Sequence, residues 1–318
     1  MARIGIPRAL LYHRYHLLWE TFLKALGEEV IVSPPTNKGI LQLGVQHSLT
    51  DICLPVKLAC GHVALIAPRV EYVFLPRILS VERNAYTCPK IVAFPDMIRL
   101  NLPGLPQILD PVLDMRKKVG SQEKQFEEIA VRLNKTRRLK FATHEAFRAQ
   151  KDWFTGEPEA RSESSFLFND VGGANWRGLQ IALLGHPYNL FDSFINFNLR
   201  ERLASMGIRI LTLKSLDPSA VEREALQLHY PPYWTAAKEL LAGARMFFRS
   251  SSVDGVMYLI AFECGPDALL KVLVESEAKK SPNVAYMSLV LDEHTGETGV
   301  ETRVEAFLDA IARRKKAV

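Results

Sequence analysis

Between Arg3 and Ser33 the spacing of apolar positions changes twice. Ile4 and Ile6 alternate with polar or small neighbours; Leu11, Tyr15, Leu18, Phe22 and Leu26 then recur at intervals of four and three; Val30 to Val32 follow after Gly27. A period of two places side chains on alternate faces of a strand, and a period near 3.6 lines them along one face of a helix. A glycine just past the last periodic residue is a helix stop. The stretch therefore predicts a strand, a Pro-containing turn, a helix and a second strand. The same grammar returns further on: strand Ile181 to Leu184, turn Gly185 to Pro187, a helix carrying Ile195, Leu199, Leu203 and Met206, the stop Gly207, and strand Ile208 to Leu211. Gly5 and Gly185, Pro7 and Pro187, Leu26 and Met206, and Gly27 and Gly207 are all separated by the same 180 positions. A repeat in register across turn, helix end and second strand predicts two similar lobes.

Further strand-like runs extend each lobe, with Val70 to Leu75 matching Val253 to Ile260, and Ile91 to Phe94 matching Val284 to Leu291. Strands alternating with helices predict parallel sheets and right-handed crossovers, so the expected fold class is α/β with two flavodoxin-like or Rossmann-like lobes. Leu105 to Trp153 reads as helical and strongly charged, and Thr155 to Gly178 is rich in Gly, Ser, Glu and Pro, as a linker would be. The expected organisation is a first α/β lobe over 1–104, a charged helical segment and linker over 105–178, and a second α/β lobe over 179–318.

Composition narrows the class. The 318 residues are 48% hydrophobic, 24% charged and 9% aromatic, which excludes global disorder, collagen-like repetition and coiled coil together. The longest apolar runs, Gly255 to Phe262 and Val284 to Leu291, have strand length, well below the ~20 residues of a membrane span. Met1 to Pro7 lacks the apolar run of a secretory signal, so the expected location is the cytoplasm, with no membrane partner. A net charge of +5 from 40 basic and 35 acidic residues is modest and spread along the chain. Basic runs at Arg116 to Lys118, Arg137 to Lys140 and Arg313 to Lys316 have acidic neighbours and little aromatic interleaving, which reads as solvated faces, with docking of an acidic partner as the alternative. Nucleic acid is not implied.

Four cysteines in a chain of this size are too few for a disulfide scaffold, and none forms a CxxC pair of the zinc-knuckle kind. Cys53-Leu-Pro55, Cys88-Pro89 and Cys264-Gly-Pro266 each set a thiol one or two residues ahead of a proline. Proline favours the first helical position, so these sulfurs are expected just ahead of a helix start or in a turn, where free backbone amides stabilise thiolate. Buried core cysteines are the plainer alternative. Cys60 lies inside the apolar-periodic stretch Val56, Ala59, Val63 and Ile66, seven residues past Cys53. A rise of about 10 Å over seven helical residues separates the two sulfurs, so Cys60 ranks as a core residue ahead of a ligand.

These residues also carry a resemblance. The runs Ile4-Gly-Ile-Pro-Arg-Ala-Leu-Leu-Tyr12, Ser33-Pro-Pro-Thr-Asn-Lys38, Cys53-Leu-Pro-Val-Lys57, Cys88-Pro-Lys90, Gly185-His-Pro-Tyr-Asn189, Cys264-Gly-Pro-Asp267 and Asp292-Glu-His-Thr-Gly-Glu297 occur in order along nearly the whole chain. They resemble the uncharacterised CoA enzyme activase domain family, which is related to the D-component of 2-hydroxyacyl-CoA dehydratases, to benzoyl-CoA reductase subunits and to double-cubane cluster proteins. The resemblance implies an oxygen-sensitive iron-sulfur protein of anaerobes, active in low-potential electron transfer or reductive chemistry. It implies a partner too: a separate ATPase of the actin and sugar-kinase superfamily, which in longer relatives is fused ahead of this domain. No Walker-type Gly-x-x-x-x-Gly-Lys loop occurs in the chain. A double cubane would use about six thiolates, so four cysteines point to one 4Fe-4S cluster, held by Cys53, Cys88 and Cys264 between the lobes, with the fourth iron open or weakly ligated. A homodimer, or a heterodimer with a paralogue, is the implied assembly.

Two polar loops complete the candidates. Asp292 to Glu297 follows the apolar strand Val284 to Leu291 and so lies where α/β proteins keep their sites. Glu293, His294 and Glu297 can act as a fourth iron ligand or proton donors, or serve as caps and first-turn acids of the last helix. His186 and Asn189 occupy the loop after Ile181 to Leu184, beside Tyr188, with His186 a catalytic and Asn189 a cofactor-binding candidate. His62 reads as a core histidine, while Asn37, Lys38 and Lys57 are candidates for contacting an anion. Two rival functions stand beside the iron-sulfur reading: a non-enzymatic cluster-maturation or scaffold subunit, and a metal-free two-lobe small-molecule binder.

Overall fold

The strand starting at Arg3 is central to the first of two units, Met1–Ser165 and Phe166–Val318. The computed structural model describes residues 1–81, 85–114, 122–155 and 178–316. In the first unit β1 (Arg3–Ile6), α1 (Tyr12–Leu26) and β2 (Glu29–Val32) form the βαβ start that the periodicity predicts. Then come α2 (Lys38–Gln46), α3 (Leu54–Ile66), β3 (Tyr72–Phe74), β4 (Arg77–Ser80), α4 (Pro89–Val92), α5 (Phe94–Asn101), β5 (Gln107–Leu109), β6 (Val112–Asp114), α6 (Gln122–Arg132) and α7 (Leu139–Thr155). The sheet order is β2-β1-β3-β5, and β4 and β6 form a separate ribbon; every pairing is parallel.

Two expectations change here. Ile91 to Phe94 is not a strand, because Pro89 in the first turn starts α4 and Phe94 opens α5. The fourth strand is β5, inside the stretch that reads as helical from its charge. The first unit therefore runs past residue 104: Phe126, Ile129 and Ala130 of α6 and Ala142 and Ala146 of α7 share one core with Phe22 and Leu26 of α1. Gln150 locks α7 to α1, its amide oxygen accepting from Leu18 N–H at 3.2 Å and its amide nitrogen donating to the Arg14 carbonyl at 3.0 Å. Residues 156–177, which read as linker, and the basic run Arg116 to Lys118 lie outside the described residues.

An ion cluster fixes the joint between sheet and ribbon. Arg77 donates to Asp96 at 2.5 and 2.6 Å and to Asp110 at 3.0 and 2.8 Å, and Arg99 reaches Asp110 at 2.8 Å. Burial pushes the Asp110 carboxyl up, but hydrogen bonds from Arg99 and Arg77 and their charges outweigh it and hold the group below its ordinary value. A carboxylate whose folded pKa is depressed stabilises the fold above its unfolded value, and that contribution is lost as pH falls. Asp110→Asn is expected to destabilise the chain by about 2 kcal/mol near neutral pH. The gap to the parent in thermal midpoint should close as pH falls below about 4; a gap independent of pH would show that charge pairing is not its source.

The second unit contains β7 (Gln180–Gly185), α8 (Pro187–Phe191), α9 (Leu199–Ser205), β8 (Arg209–Leu211), α10 (Pro218–Leu226), α11 (Thr235–Arg249), β9 (Gly255–Ala261), α12 (Gly265–Lys279), β10 (Ala285–Leu291) and α13 (Glu297–Lys316). Its all-parallel sheet has the order β10-β9-β7-β8. Substituting β7, β8, β9 and β10 for β1, β2, β3 and β5 gives the first sheet's order, so both units are flavodoxin-like or Rossmann-like. The helix stops repeat as well, Gly27 and Gly207 both lying in the left-handed region with φ of 90° and 72°.

The predicted single helix through Ile195 is interrupted. Asp192 accepts from the N–H groups of Phe194 and Ile195, Asn196 donates to the carbonyls of Asn189 and Leu190, and Phe197 and Asn198 are left-handed. These side chains satisfy the backbone groups that an unbroken helix would pair. Met206, the residue that closes α9, is exposed where its counterpart Leu26 is buried. Among the described residues no helix is long and apolar enough to cross a membrane.

Candidate metal and active site

Where strand order reverses in an open parallel sheet, the two flanking loops leave in opposite directions and open a crevice at the strand carboxyl ends. In the second unit that place lies between β7 and β9. His186 follows β7 as the N-cap of α8, with Pro187 next, and Cys264 follows β9 as the N-cap of α12, just after the left-handed Glu263 with φ of 63°. Donor atoms of His186, Cys264 and Asp267 all lie within 4.8 Å of one another.

Asp267 is fully buried in the first turn of α12. Its Oδ1 accepts from the Tyr258 hydroxyl of β9 at 2.8 Å and lies 3.1 Å from His186 Nε2, while its Oδ2 is buried without a hydrogen-bond partner among the described residues. Burial, then the charge and hydrogen bond of Asp267, push the Tyr258 phenol far up, so it stays protonated and donates. The His186 ring stacks on Tyr188 with centroids 4.9 Å apart. Asn189 ties α8 to β9 through its Nδ2, which donates to the Leu259 carbonyl at 3.3 Å, while its buried Oδ1 has no hydrogen-bond partner among the described residues.

In the first unit Cys53 and Cys88 are the N-caps of α3 and α4, each followed by proline within two residues. The local pattern is the same at each: Val56 and Lys57 N–H donate to the Cys53 carbonyl at 2.9 and 3.2 Å, and Ile91 and Val92 N–H donate to the Cys88 carbonyl at 2.9 and 3.2 Å. Cys53 and Cys264 are buried and Cys88 is partly so. Cys60 lies inside α3, and burial pushes its thiol up to about 12, a neutral core group at physiological pH.

His62 is fully buried one turn before the end of α3, with Nδ1 2.8 Å from Ser33 Oγ and Nε2 2.9 Å from Thr36 Oγ1. Burial, then the Arg8 charge, push its pKa down to about 3. Both ring nitrogens of this neutral imidazole are engaged, as the core reading requires. Asn37 caps α2, its side chain accepting from Ile40 N–H at 3.1 Å, and Lys57 is buried in α3.

The Asp292 loop is organised by its own hydrogen bonds. Asp292 Oδ1 accepts from His294 N–H at 2.9 Å and from the Thr295 hydroxyl at 2.7 Å, and Thr295 Oγ1 accepts from Asp292 N–H at 2.8 Å. Glu297 opens α13 and pairs with Arg202, His294 is exposed and Glu293 partly buried. The structure thus gathers His186, Asn189 and Cys264 around one sheet crevice and sets Glu293, His294 and Glu297 on the loop after β10.

The family model described as the CoA enzyme activase uncharacterised domain matches residues 3–216. The chain belongs to that family. Its matched span holds Cys53, Cys88, His186 and Asn189 and ends before Cys264. No curated protein matches the chain. A crystal structure of SsGBP with GDP aligns over 91% of this chain and 93% of that one at 10% identity, but with a TM-score of 0.20 it carries no argument.

For this family member the donor set suits a soft-metal centre. Thiolates select iron-sulfur clusters, zinc and copper(I) over hard cations, and unpaired N–H groups at helix starts favour the thiolate. Three of the four cysteines have that setting, and the buried acceptor Asp267 Oδ2 adds an anionic donor beside one of them. Sequence reading passes over Asp267 and Tyr258 as site residues, although both carry a signal. Asp267 lies three residues past Cys264, on the same helix face, and Tyr258 is a phenol within a wholly buried strand, where its hydroxyl needs a partner.

Proposed function

We propose that this CoA enzyme activase domain protein is a cytoplasmic iron-sulfur protein serving low-potential electron transfer or reductive chemistry. Cys53, Cys88 and Cys264 would hold one 4Fe-4S cluster. The observation that carries the reading is the shared setting of these thiols, each the N-cap of a proline-led helix, against the neutral mid-helix Cys60. When bound, the cluster supplies one-electron reducing power at low potential. Beside Cys264, Asn189 joins the His186 turn to β9, the ring of Tyr188 stacks on His186, and Tyr258 holds Asp267 in place. His186 is the side chain there suited to moving a proton, since one imidazole nitrogen can accept while the other donates. A separate actin-like ATPase is the proposed electron-delivering partner, and a homodimer or a heterodimer with a paralogue the proposed assembly.

Anaerobic purification followed by iron and acid-labile sulfide analysis tests the reading. Iron with an equal amount of sulfide is the expected result. Zinc without sulfide would replace it with a structural site, and absence of both would favour a metal-free binding module.

A further inference from the structure

We infer that the second unit holds one divalent transition-metal ion by itself, through the Cys264 thiolate, an imidazole nitrogen of His186 and the Asp267 carboxylate. The inference rests on Cys264 being a metal ligand, as proposed above, but needs neither Cys53 nor Cys88. With bonds of 2.0–2.3 Å, two ligands of one tetrahedral ion lie about 3.5 Å apart. The three donors already lie within 4.8 Å of one another, so closing on an ion requires side-chain adjustment and no movement of a strand or helix.

The local chemistry calls for a cation. Asp267 is fully buried, and two neighbours, Tyr258 and His186, are gathered at Oδ1 while Oδ2 has no hydrogen-bond partner among the described residues. A buried acceptor left without a donor is costly. A divalent ion bound at Oδ2 removes that cost, and its two positive charges balance the Cys264 thiolate and the Asp267 carboxylate. Tyr258 then acts as an outer positioning residue that orients the carboxylate, a role such hydrogen bonds commonly take around metal ligands. The mixed sulfur, nitrogen and oxygen set selects zinc, cobalt or iron(II) over magnesium or calcium. Three protein ligands leave a fourth tetrahedral position open, at the crevice where α/β sheets bind ligands.

Cobalt(II) is the probe, because thiolate ligation gives it a near-ultraviolet charge-transfer band and a tetrahedral site gives it visible bands. The full chain carrying Cys53→Ser and Cys88→Ser is titrated anaerobically without sulfide. One cobalt per chain with both sets of bands is expected. Cys264→Ser on that background should abolish the charge-transfer band, and Asp267→Asn and His186→Gln should each weaken binding at least about tenfold. Absence of the bands in chain with an unchanged thermal midpoint, or their survival in Cys264→Ser, overturns the inference. Should the background variants unfold, the chelator-stripped wild-type chain is compared with its Asp267→Asn and His186→Gln counterparts, and cobalt binding left unweakened in both overturns the inference. The two proposals fail separately: iron and sulfide in the wild type without cobalt binding defeats only this one, whereas cobalt binding without sulfide in the wild type defeats only the cluster.

Discussion

Serine at Cys53, Cys88 or Cys264 is expected to remove most of the iron from anaerobically purified protein, while serine at Cys60 leaves it in place. Each of the first three thiols stands at the N-cap of a proline-led helix, ahead of backbone N–H groups that have no intrahelical acceptor. The fourth is packed inside α3 with its thiol pushed up to about 12, and converting it to a thiolate ligand would expose a charge to an apolar interior. Hydroxyl in place of thiolate gives a much harder ligand, a poor match for iron in a sulfide cluster. Iron and sulfide per chain, measured on all four variants side by side, is the readout. Equal iron loss in Cys60→Ser would overturn the three-ligand set and restore a four-cysteine cubane.

The second large effect lies in the backbone under Cys53. Helices α2 and α3 cross with almost no side chain between them: a methyl at Gly61 would overlap the Ile40 carbonyl oxygen, and one at Gly44 would overlap the Lys57 carbonyl oxygen. Both obstacles are backbone, so no rotamer change relieves them and the helices must move apart. Gly61→Ala should therefore destabilise the first unit by about 3 kcal/mol, which lowers the thermal midpoint by roughly 6–12 °C in a unit of this size. Since α3 begins at Cys53, iron retention should fall with it. Gly299→Ala in α13 is the control, because nothing lies within 4 Å of the added methyl, and there alanine's better helix propensity should leave the midpoint unchanged or slightly higher. A Gly61→Ala midpoint within about 2 °C of the parent would show that the crossing is not tightly packed.

How much of this was legible depended on how local each signal is. The βαβ starts at Arg3 and Gln180, the left-handed stops Gly27 and Gly207, and the helix starts at Cys53, Cys88 and Cys264 all follow from residues close to one another in the chain. The break after Phe191 was hidden because the apolar period continues through Ile195 to Leu199 and Leu203, while Asp192 and Asn196 divert the backbone hydrogen bonds. The strand β5 was hidden in a charged stretch because it is only three residues long and one of them, Gln107, is exposed. At the site, the side chains after β7 were singled out, but Asp267 as their partner was not. That pairing exists only once β7 and β9 lie side by side, which no local period encodes.

The all-parallel pairing also determines how the chain can fold. A parallel neighbour cannot be reached by a tight turn, so every strand pair among the described residues is joined through a crossover or other long connection. Arg3 meets Glu29, Ile4 meets Tyr72 and Ile181 meets Gly255, and each pairing requires a long loop to close before any ladder forms. Sheet formation must therefore wait for the helices to collapse onto nascent strands, and folding should be slow relative to a hairpin-rich or helical chain of the same length. During that interval the apolar strand Gly255–Ala261, buried along its whole length in the finished sheet, is the segment most exposed to misassociation.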